Sequence, residues 1–320
     1  DLNPLPKLGV LRLDYDYPPI AGDVDSPLSY PYPSVFRVCP GLTFEICQKG
    51  RISEQVQADI LASVKYLEDA GCSAITGDCG FMLNIQRMVR EATNLPVCLS
   101  SLMLLPSIGA FNGFRIPRMR FGEARSEPAQ ERPPRGLLAT PEPKIAIVTS
   151  NSKSLLTNSM VAMIEQECMV DPRHPRYSVT GCQRLPGFEA VANGTKVDEL
   201  LVEQIMVAKC LQMADDDPAL LGFVFECTEL GAYSNAVRCA TGLPVWDAIC
   251  AADFVMSGVM NNPRFGKQQW QEAFDPAVYY HVPYVFGSEL DEEEATRVAS
   301  PRQGEGEWAS PMLEGAQTCA

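Results

Sequence analysis

Two cysteines occupy matching sequence frames 148 residues apart, Cys79 in the first half of the chain and Cys227 in the second. The first frame reads Gly-Asp-Cys-Gly and the second Phe-Glu-Cys-Thr-Glu, and both run on, without a gap between them, to the same Leu-Pro-Val. Such an internal repeat predicts two copies of one supersecondary unit. Two copies that face each other would place two thiols across one cleft, which is a catalytic geometry.

Each cysteine lies where a predicted strand ends and a predicted helix begins. The free N–H groups and the positive end of a helix dipole lower the pKa of a thiol there, which would make it a usable general base. The carboxyls of Asp78 and Glu226 would act in the opposite direction if they point inward. The alternative for each cysteine is a buried, inert thiol. The shared frame favours the catalytic role, and we expect both sulfur atoms to open into one pocket.

The two halves predict the same order of elements. Apolar runs at residues 8–11 and 145–148 are bounded by turn signals, which is typical of buried strands, and further strands are predicted at residues 74–76 and 221–225. Strands that alternate with helices predict an α/β fold with two pseudo-symmetric lobes, each with a central parallel sheet flanked by helices. Ligands bind at the carboxyl ends of such strands, so we expect the active site in the cleft between the lobes.

A helix is predicted between these strands in each half. In the first half Ser53 is a suitable N-cap, Gly71 is a stop signal, and the apolar positions are Val56, Ile60, Val64 and Leu67. The counterpart is predicted to start near Thr195 and to end before Asp215, with apolar positions Leu201, Ile205, Ala208 and Leu211.

The loop after the first strand is dense in acids and tyrosines. Aromatic faces beside carboxylates suit a bulky, weakly hydrated cation such as a sulfonium or a quaternary ammonium. We therefore predict a cation wall formed by Asp14, Tyr15, Asp16 and Tyr17. The alternative is a proline-pinned loop whose tyrosines pack over the edge of the core.

The equivalent loop of the second half offers hydroxyl, amide and backbone donors, which suit a carboxylate. Its residues Thr149, Ser150 and Asn151 form the predicted carboxylate wall. Glu229, two residues after Cys227, either holds a substrate group or complements the helix dipole. A ligand with a cation at one end and a carboxylate at the other would match both walls.

Composition narrows the possible partners. A net charge of −14 over 320 residues argues against nucleic acid, and no apolar run has the length of a membrane span. Twelve cysteines without a Cys-x-x-Cys pair, and only two histidines, give poor support for a metal site. Neither a dinucleotide-binding glycine motif nor a Walker loop occurs, so no cofactor is expected. Mostly free thiols in a reducing compartment are predicted.

Several stretches resemble a known family. The run Glu-Cys-Thr-Glu-Leu at residues 226–230, paired with Cys79, resembles the aspartate/glutamate/hydantoin racemase superfamily. The longer stretches are similar to those of one branch, the algal dimethylsulfoniopropionate lyases of the Alma family, and the resemblance covers roughly residues 6–258. These stretches are RLDYDYPPIAGDVDSP from Arg12, PGLTFE from Pro40, GDCGF from Gly77, ECTELGAYSNA from Glu226 and TGLPVWD from Thr241.

The resemblance implies a domain organisation in which the chain crosses back to complete the first lobe. Lobe 1 would comprise residues 1–110 and about 247–287, and lobe 2 residues 141–246. Residues 111–140 form an arginine- and proline-rich excursion between them, and residues 288–320 an acidic tail.

The resemblance also implies an activity: β-elimination of dimethylsulfoniopropionate to dimethyl sulfide and acrylate. Cys227 would be the base, Cys79 would tune it or occupy the other face of the substrate, and Gly80 and Thr228 would contact the substrate. Racemases of the superfamily usually have Asn-Thr after the first cysteine, whereas Gly80 and Phe81 stand here. The alternatives are a cofactor-independent amino-acid (Asp/Glu-type) or hydantoin racemase and, more distantly, a non-catalytic binding module.

The partners and compartment are expectations of the same kind. We expect a small zwitterionic substrate, no nucleic acid and no membrane, and a homo-oligomer, either a dimer or a tetramer. An intracellular location is expected, with the chloroplast and the cytoplasm as the two alternatives.

Overall fold

The computed structural model describes residues 5–112 and 142–260, which belong to one compact unit, Asp1–Asn261. The excursion beyond residue 112, residues 261–287 and the predicted tail at 288–320 lie outside the described residues. None of the helices in the described ranges combines the length and the apolar character needed to cross a bilayer.

The described strands form two parallel four-stranded sheets, one in each lobe. The first sheet has the order β2-β1-β3-β4 and the second the equivalent order β6-β5-β7-β8. The predicted α/β fold with two pseudo-symmetric lobes is confirmed. The strands are β1 (Lys7–Arg12), β2 (Ser34–Val38), β3 (Cys72–Gly77), β4 (Val97–Cys98), β5 (Lys144–Thr149), β6 (Tyr177–Gly181), β7 (Leu220–Phe225) and β8 (Val245–Trp246).

Helices cover both sheets. The α-helices are α1 (Phe44–Lys49), α2 (Glu54–Asp69), α3 (Gln86–Ala92), α4 (Leu105–Phe111), α5 (Ser152–Leu155), α6 (Asn158–Cys168), α7 (Glu189–Ala192), α8 (Glu199–Asp216), α9 (Ser234–Thr241) and α10 (Ala248–Ser257). Short 3-10 helices span Pro27–Ser29, Gly80–Ile85, Ser101–Leu104 and Thr228–Tyr233. Two of them, Gly80–Ile85 and Thr228–Tyr233, directly follow the two cysteines.

The helix α2 follows its sequence pattern closely. The Ser53 side chain accepts a hydrogen bond from the backbone N–H of Val56, which is the N-cap contact that a serine at this position provides. The four apolar positions predicted for this helix are all buried against the sheet. Gly71 has φ +77°, a left-handed conformation that ends a helix at low cost.

The helix α8 departs from its prediction in start, end and face. Its N-cap is Asp198, whose carboxylate accepts from the N–H of Leu201, so the helix begins later than Thr195 and continues through Asp216. Its buried positions are Val202, Met206 and Cys210, whereas Leu201 is exposed. The predicted apolar face is therefore wrong by about one residue of rotation, because this helix has apolar residues on several sides.

The helix α10 leaves the second lobe and packs on the first sheet. Its residues Ala248, Ala252 and Met256 form one buried cluster with Leu8 and Val10 of β1. Asp247 caps the helix by accepting from the N–H of Cys250. Part of the first lobe's core is therefore supplied by residues that follow the second lobe in the chain.

Candidate active site

The two cysteines follow the ends of the inner strands β3 and β7, and each is preceded by a buried acid. Asp78 Oδ2 accepts from the backbone N–H of Leu13 at 2.8 Å, directly beyond the end of β1. Glu226 Oε2 accepts from the hydroxyl of Thr149 at 2.6 Å, and the same carboxyl is hydrogen-bonded by the backbone N–H of Ser150, beyond the end of β5. Equivalent acids thus fix each cysteine loop to the neighbouring strand of its own sheet.

The two cysteine loops contact each other across the lobes with the same pseudo-symmetry. The Thr228 hydroxyl donates to the carbonyl oxygen of Asp78 at 2.5 Å. In the reciprocal position, a Cβ built on Gly80 would lie 2.2 Å from the carbonyl oxygen of Glu226, so a side chain has no room there. The residue after each cysteine therefore meets the residue before the other one, and the repeated segments Asp78–Gly80 and Glu226–Thr228 form one contact between the lobes.

Cys227 is paired with a carboxyl group of its own segment. Its thiol donates to Glu229 Oε2 at 2.7 Å, and the hydroxyl of Thr228 lies 3.3 Å from the same oxygen. The other oxygen of Glu229 accepts from the Tyr15 hydroxyl of the first lobe at 3.4 Å. Burial raises the pKa of Glu229, although its hydrogen bond with Cys227 opposes that shift. A thiol and a carboxyl within proton-transfer distance are thus joined to the loop of the facing lobe.

Cys79 has a different neighbour. The thiol of Cys47, on α1, hydrogen-bonds to it, and this contact together with burial raises the pKa of Cys79. The carboxyls of Glu226 and Glu229 in the second lobe act in the same direction. Both cysteines therefore stand within the electrostatic influence of the same two acids.

Two expectations about the thiols are wrong for this structure. Cys79 and Cys227 are 4% and 3% exposed, so both residues are buried where open thiols were expected. Their pKa values are raised instead of lowered, for Cys227 because of burial and then the negative charges of Glu229 and Glu226. The neighbouring carboxyls and the loss of water outweigh the short 3-10 helices that follow each cysteine.

The tyrosines of the predicted cation wall lie over this contact between the lobes. Tyr15 and Tyr17 stack with ring centroids 5.9 Å apart, and Tyr15 reaches Glu229. Tyr17 is buried in one apolar cluster with Cys227 and Tyr233 of the second lobe. Tyr15 and Tyr17 thus lie on the Cys227 side of this contact, and their role as a cation wall stays a prediction.

The acids predicted for the same wall, Asp14 and Asp16, are placed differently from the two tyrosines. Asp14 and Asp16 are exposed, whereas Tyr15 is half-buried and Tyr17 is buried. Asp14 Oδ2 accepts from the backbone N–H of Gly41 at 2.8 Å, a contact that fixes the loop. The assignment of Asp14 and Asp16 to the cation wall is therefore wrong.

The predicted carboxylate wall divides into residues with different partners. The Thr149 hydroxyl is committed to Glu226, and Asn151 Oδ1 accepts from the N–H groups of Lys153 and Ser154 as the N-cap of α5. Ser150 is buried beside Glu226. Of these three residues, Ser150 keeps a hydroxyl donor for which the structure assigns no protein acceptor among the described residues.

The sequence pattern missed the burial of two acids, Asp23 and Asp25, which are 1% and 5% exposed. Asp78 and Glu226, which were expected to act on the thiols if they point inward, are buried as well. Asp23 and Asp25 belong to the same acidic loop as Asp14 and Asp16. The available signal in the sequence was the glycine directly before Asp23, since Gly22, with φ +95°, allows the loop to turn back into the protein.

No family model matches the sequence. Among solved structures, unliganded arylmalonate decarboxylase is 15% identical with a TM-score of 0.48, covering 82% of this chain and 94% of that one. An aspartate racemase homologue from Pyrococcus horikoshii OT3 is 13% identical with a TM-score of 0.45, covering 79% of this chain and 98% of that one.

Curated relatives are much more similar. Dimethylsulfoniopropionate lyase 7 of Emiliania huxleyi (strain CCMP1516) is 38% identical over 304 residues, which are 94% of this chain and 80% of that protein. Dimethylsulfoniopropionate lyase of Durusdinium sp. clade D is 39% identical over 289 residues, which are 90% of this chain and 85% of that protein. Identity at this level over 90% or more of this chain and at least 80% of each relative shows that the chain belongs to the dimethylsulfoniopropionate lyase family.

Proposed function

We propose that this protein cleaves dimethylsulfoniopropionate into dimethyl sulfide and acrylate, with the Cys227 thiolate as the base. The observation that carries the mechanism is the 2.7 Å contact between the Cys227 thiol and Glu229, directly beside the Cys79 loop of the other lobe. The relatives named for this activity carry the choice of substrate.

The reaction balances with groups of this chain alone. Glu229 accepts the thiol proton of Cys227, and the thiolate then removes a proton from the carbon beside the substrate carboxylate. The electron pair of that C–H bond forms the carbon–carbon double bond of acrylate, and the carbon–sulfur bond breaks. Dimethyl sulfide leaves with the bonding pair as a neutral molecule, so it needs no general acid. One proton is released to solvent in each turnover.

The substrate's own charge helps to form the base. Several carboxyls raise the pKa of Cys227, so a thiolate would be one more negative charge in a buried and already acidic environment. A sulfonium that enters this environment supplies the missing positive charge and lowers the pKa of the thiol. Deprotonation is thereby coupled to binding of the cation.

Access to the thiols requires movement. Cys79 and Cys227 are buried under the contact between the lobes, so a substrate reaches them only when part of that contact opens. The hydrogen bond between Tyr15 and Glu229, at 3.4 Å, is long and therefore weak, so the Tyr15 side chain can leave Glu229 at low cost. Water excluded on reclosure would strengthen the electrostatic interactions inside.

The remaining site residues have proposed roles that follow from their positions. Cys79 faces the substrate from the first lobe and either tunes Cys227 or occupies the opposite face. Ser150, with Thr149 and Asn151 as supports of its loop, contacts the substrate carboxylate, where negative charge grows during proton removal. Gly80 and Thr228 hold the two cysteine loops in register.

The test is a headspace measurement of dimethyl sulfide from the purified protein with dimethylsulfoniopropionate. Cys227→Ser and Cys79→Ser should each lower kcat by at least about 10²-fold, the scale of a lost general base. Cys72→Ser is the matched control, because Cys72 is also buried but lies at the opposite end of β3 from Cys79. An inactive wild type, or near-wild-type activity in Cys227→Ser, would contradict the proposal.

A further inference from the structure

Asp23 is a buried carboxyl with an unpartnered oxygen, within electrostatic range of Glu229. The residue is 1% exposed, and its Oδ1 accepts from the backbone N–H of Asp25 at 3.0 Å. Among the described residues, no group meets hydrogen-bond geometry with its Oδ2, and the Tyr17 hydroxyl acts on the carboxyl only as a loose donor that lowers its pKa. Leaving a buried carboxylate oxygen without a partner is costly, so such an atom calls for an explanation.

The loop that carries Asp23 is held by several hydrogen bonds, so the unpartnered oxygen is not explained by a poorly packed backbone. The backbone N–H of Asp23 donates to the carbonyl of Ile20, and its own carbonyl accepts from the hydroxyl of Ser29 at 2.5 Å. The Ser29 oxygen also accepts from the N–H of Gly22 at 2.8 Å. The backbone N–H and carbonyl of Asp23 are thus both hydrogen-bonded, while one oxygen of its side chain has no partner of good geometry among the described residues.

Close backbone packing fixes this loop against the second lobe. A Cβ on Gly22 would lie 2.5 Å from Cα of Ala232, and a Cβ on Gly231 would lie 2.3 Å from the carbonyl oxygen of Gly22. Ala232 and Gly231 belong to the 3-10 helix Thr228–Tyr233 that follows Cys227. Asp23 is consequently attached to the same helix that carries Glu229.

The surroundings of Asp23 are aromatic and negatively charged. The hydroxyl of Tyr17 lies beside its carboxyl, and Glu229 and Tyr233 are within electrostatic range. Among the buried acids of this region, Asp25 is paired through both oxygens with Arg12, at 2.8 and 2.9 Å. No ion pair formed by Asp23, Asp78, Glu226 or Glu229 occurs within the described residues.

We propose that Asp23 is the counter-ion of the substrate's sulfonium group and, with Tyr15 and Tyr17, makes the site selective for zwitterions whose cationic end is a methylated onium group. This inference rests on the proposed function and replaces the exposed acids Asp14 and Asp16 as its cation-binding element.

The chemistry of an onium ion fits these partners better than that of other cations. A sulfonium has no N–H or O–H and cannot donate hydrogen bonds, so it is recognised by carboxylate charge and by aromatic faces. A primary ammonium would need three acceptors in fixed directions, and a metal ion would need several oxygens around it. One free carboxylate oxygen among tyrosine rings suits a sulfonium, and it offers too few acceptors for a primary ammonium or a metal ion.

The titration of Asp23 agrees with this role. Burial, followed by the negative charge of Glu229, raises the pKa of Asp23, so an ionised Asp23 is poorly stabilised by the protein alone. A bound cation would lower that pKa and recover the cost. Binding of a cation and ionisation of Asp23 therefore favour each other.

The experiment compares two inhibitors that differ in charge but not in shape. 3-(Trimethylammonio)propionate keeps the onium charge, whereas 4,4-dimethylpentanoate has carbon in place of nitrogen. Inhibition constants are measured against dimethylsulfoniopropionate for the wild type, for Asp23→Asn and for the matched control Asp16→Asn, an exposed acid of the same loop. Thermal unfolding is recorded for all three proteins.

We expect the wild type and Asp16→Asn to bind the onium compound more tightly than its neutral counterpart. In Asp23→Asn this preference should fall by at least about tenfold, and KM should rise by more than kcat falls. Asp23→Asn keeps the acceptor used by Asp25 and removes an unpaired buried charge, so its Tm should not decrease.

The outcomes separate the two proposals. If the wild type produces no dimethyl sulfide, the proposed function fails. If it produces dimethyl sulfide and Asp23→Asn keeps the full preference for the onium compound, only the role of Asp23 is overturned. A lower Tm together with an unchanged preference would show that Asp23 merely supports the loop.

Discussion

Glu229 links the base of the reaction to the loop of the opposite lobe. Its two oxygens accept hydrogen bonds from Cys227 and Tyr15, and the residue is buried. A carboxylate in this position has two opposing effects on Cys227. It raises the pKa of the thiol through its negative charge, and it supplies the acceptor that the thiol proton needs.

These two effects can be separated with Glu229→Gln. The neutral amide removes a charge that raises the pKa of Cys227, so alkylation of Cys227 by iodoacetamide should begin at lower pH than in the wild type. Because no acceptor for the thiol proton remains, kcat should nevertheless fall by about 10²- to 10⁴-fold. Mass spectrometry of Cys227 across a pH series and headspace assays give the two readouts. Unchanged kcat, or alkylation shifted to higher pH, would contradict this role.

At the level of residues, the sequence pattern predicted the reactive groups better than it predicted which side chains surround them. The matched frames singled out Cys79 and Cys227, and the acidic loop indicated a cation. Choosing among the acids of that loop required the direction of each side chain. In the sequence Asp14 and Asp23 are equally plausible, and only the turn at Gly22 and the packing against Ala232 place the Asp23 loop on the 3-10 helix that carries Glu229.

Among the elements, the two 3-10 helices after the cysteines determine how the lobes meet. Thr228 uses its hydroxyl to contact Asp78, whereas its counterpart Gly80 makes room for Glu226. The same position in the repeat has therefore been adapted in two ways, one adding a hydrogen bond and one removing a side chain. The interface is asymmetric in chemistry although the backbone is pseudo-symmetric.

Gly80→Ala tests this contact. The added methyl group would overlap the carbonyl oxygen and Oε1 of Glu226, so the cysteine loops must separate, at a cost of about 1–3 kcal/mol in the free energy of unfolding. Lyase activity should fall with it. Urea unfolding and the headspace assay check both effects, with Gly258→Ala as control because its added Cβ would come no nearer than 3.5 Å to Val255. Full stability and activity in Gly80→Ala would refute the close contact.

The helices show where a sequence pattern stops being informative. In α2, four apolar residues at helical spacing define one face, and the N-cap Ser53 and Gly71 define its limits. In α8, apolar residues surround much of the helix, so the pattern does not decide which side faces the sheet. Packing against the second sheet selects Val202, Met206 and Cys210, one residue away from the predicted stripe.

The whole molecule carries a net charge of −14, and some of its carboxyls are buried in the contact between the lobes. Burial raises the pKa of Glu226 to about 7, compared with 4.5 for a free glutamate. Between these values the folded state holds a proton that the unfolded state has released. The contribution of Glu226 to the free energy of unfolding should therefore be fully present below about pH 4.5 and be lost as the pH rises through about 7.

Glu226→Gln should remove this dependence on pH. The free energy of unfolding of the wild type should fall by about 3 kcal/mol more than that of the variant as the pH is raised across this window. Urea titrations at a series of pH values measure the difference. Glu165→Gln, at an exposed position on α6, is the control and should behave like the wild type. A Glu226→Gln protein with the same pH dependence as the wild type would contradict the raised pKa.

At the scale of the whole molecule, the sequence was sufficient to predict the two-lobed architecture. Two repeats of strand, helix, strand and cysteine predict two equivalent lobes, and both sheets have the equivalent strand order. The depth at which the cysteines lie was not predictable, because it depends on contacts such as that between Thr228 and Asp78, which join residues 150 positions apart. The predicted homo-oligomer and the predicted compartment stay predictions.

The helix α10 gives the internal repeat an unexpected property. Leu8 and Val10, at the beginning of the chain, are covered by Ala252 and Met256, which come after both copies of the repeat. A polypeptide cut between the two copies would yield a first fragment with an open apolar face and a second fragment with a surplus helix. The duplication in the amino-acid sequence thus does not mark two separable folding units. The core of the first lobe can be completed only after the second lobe and α10 have been synthesised.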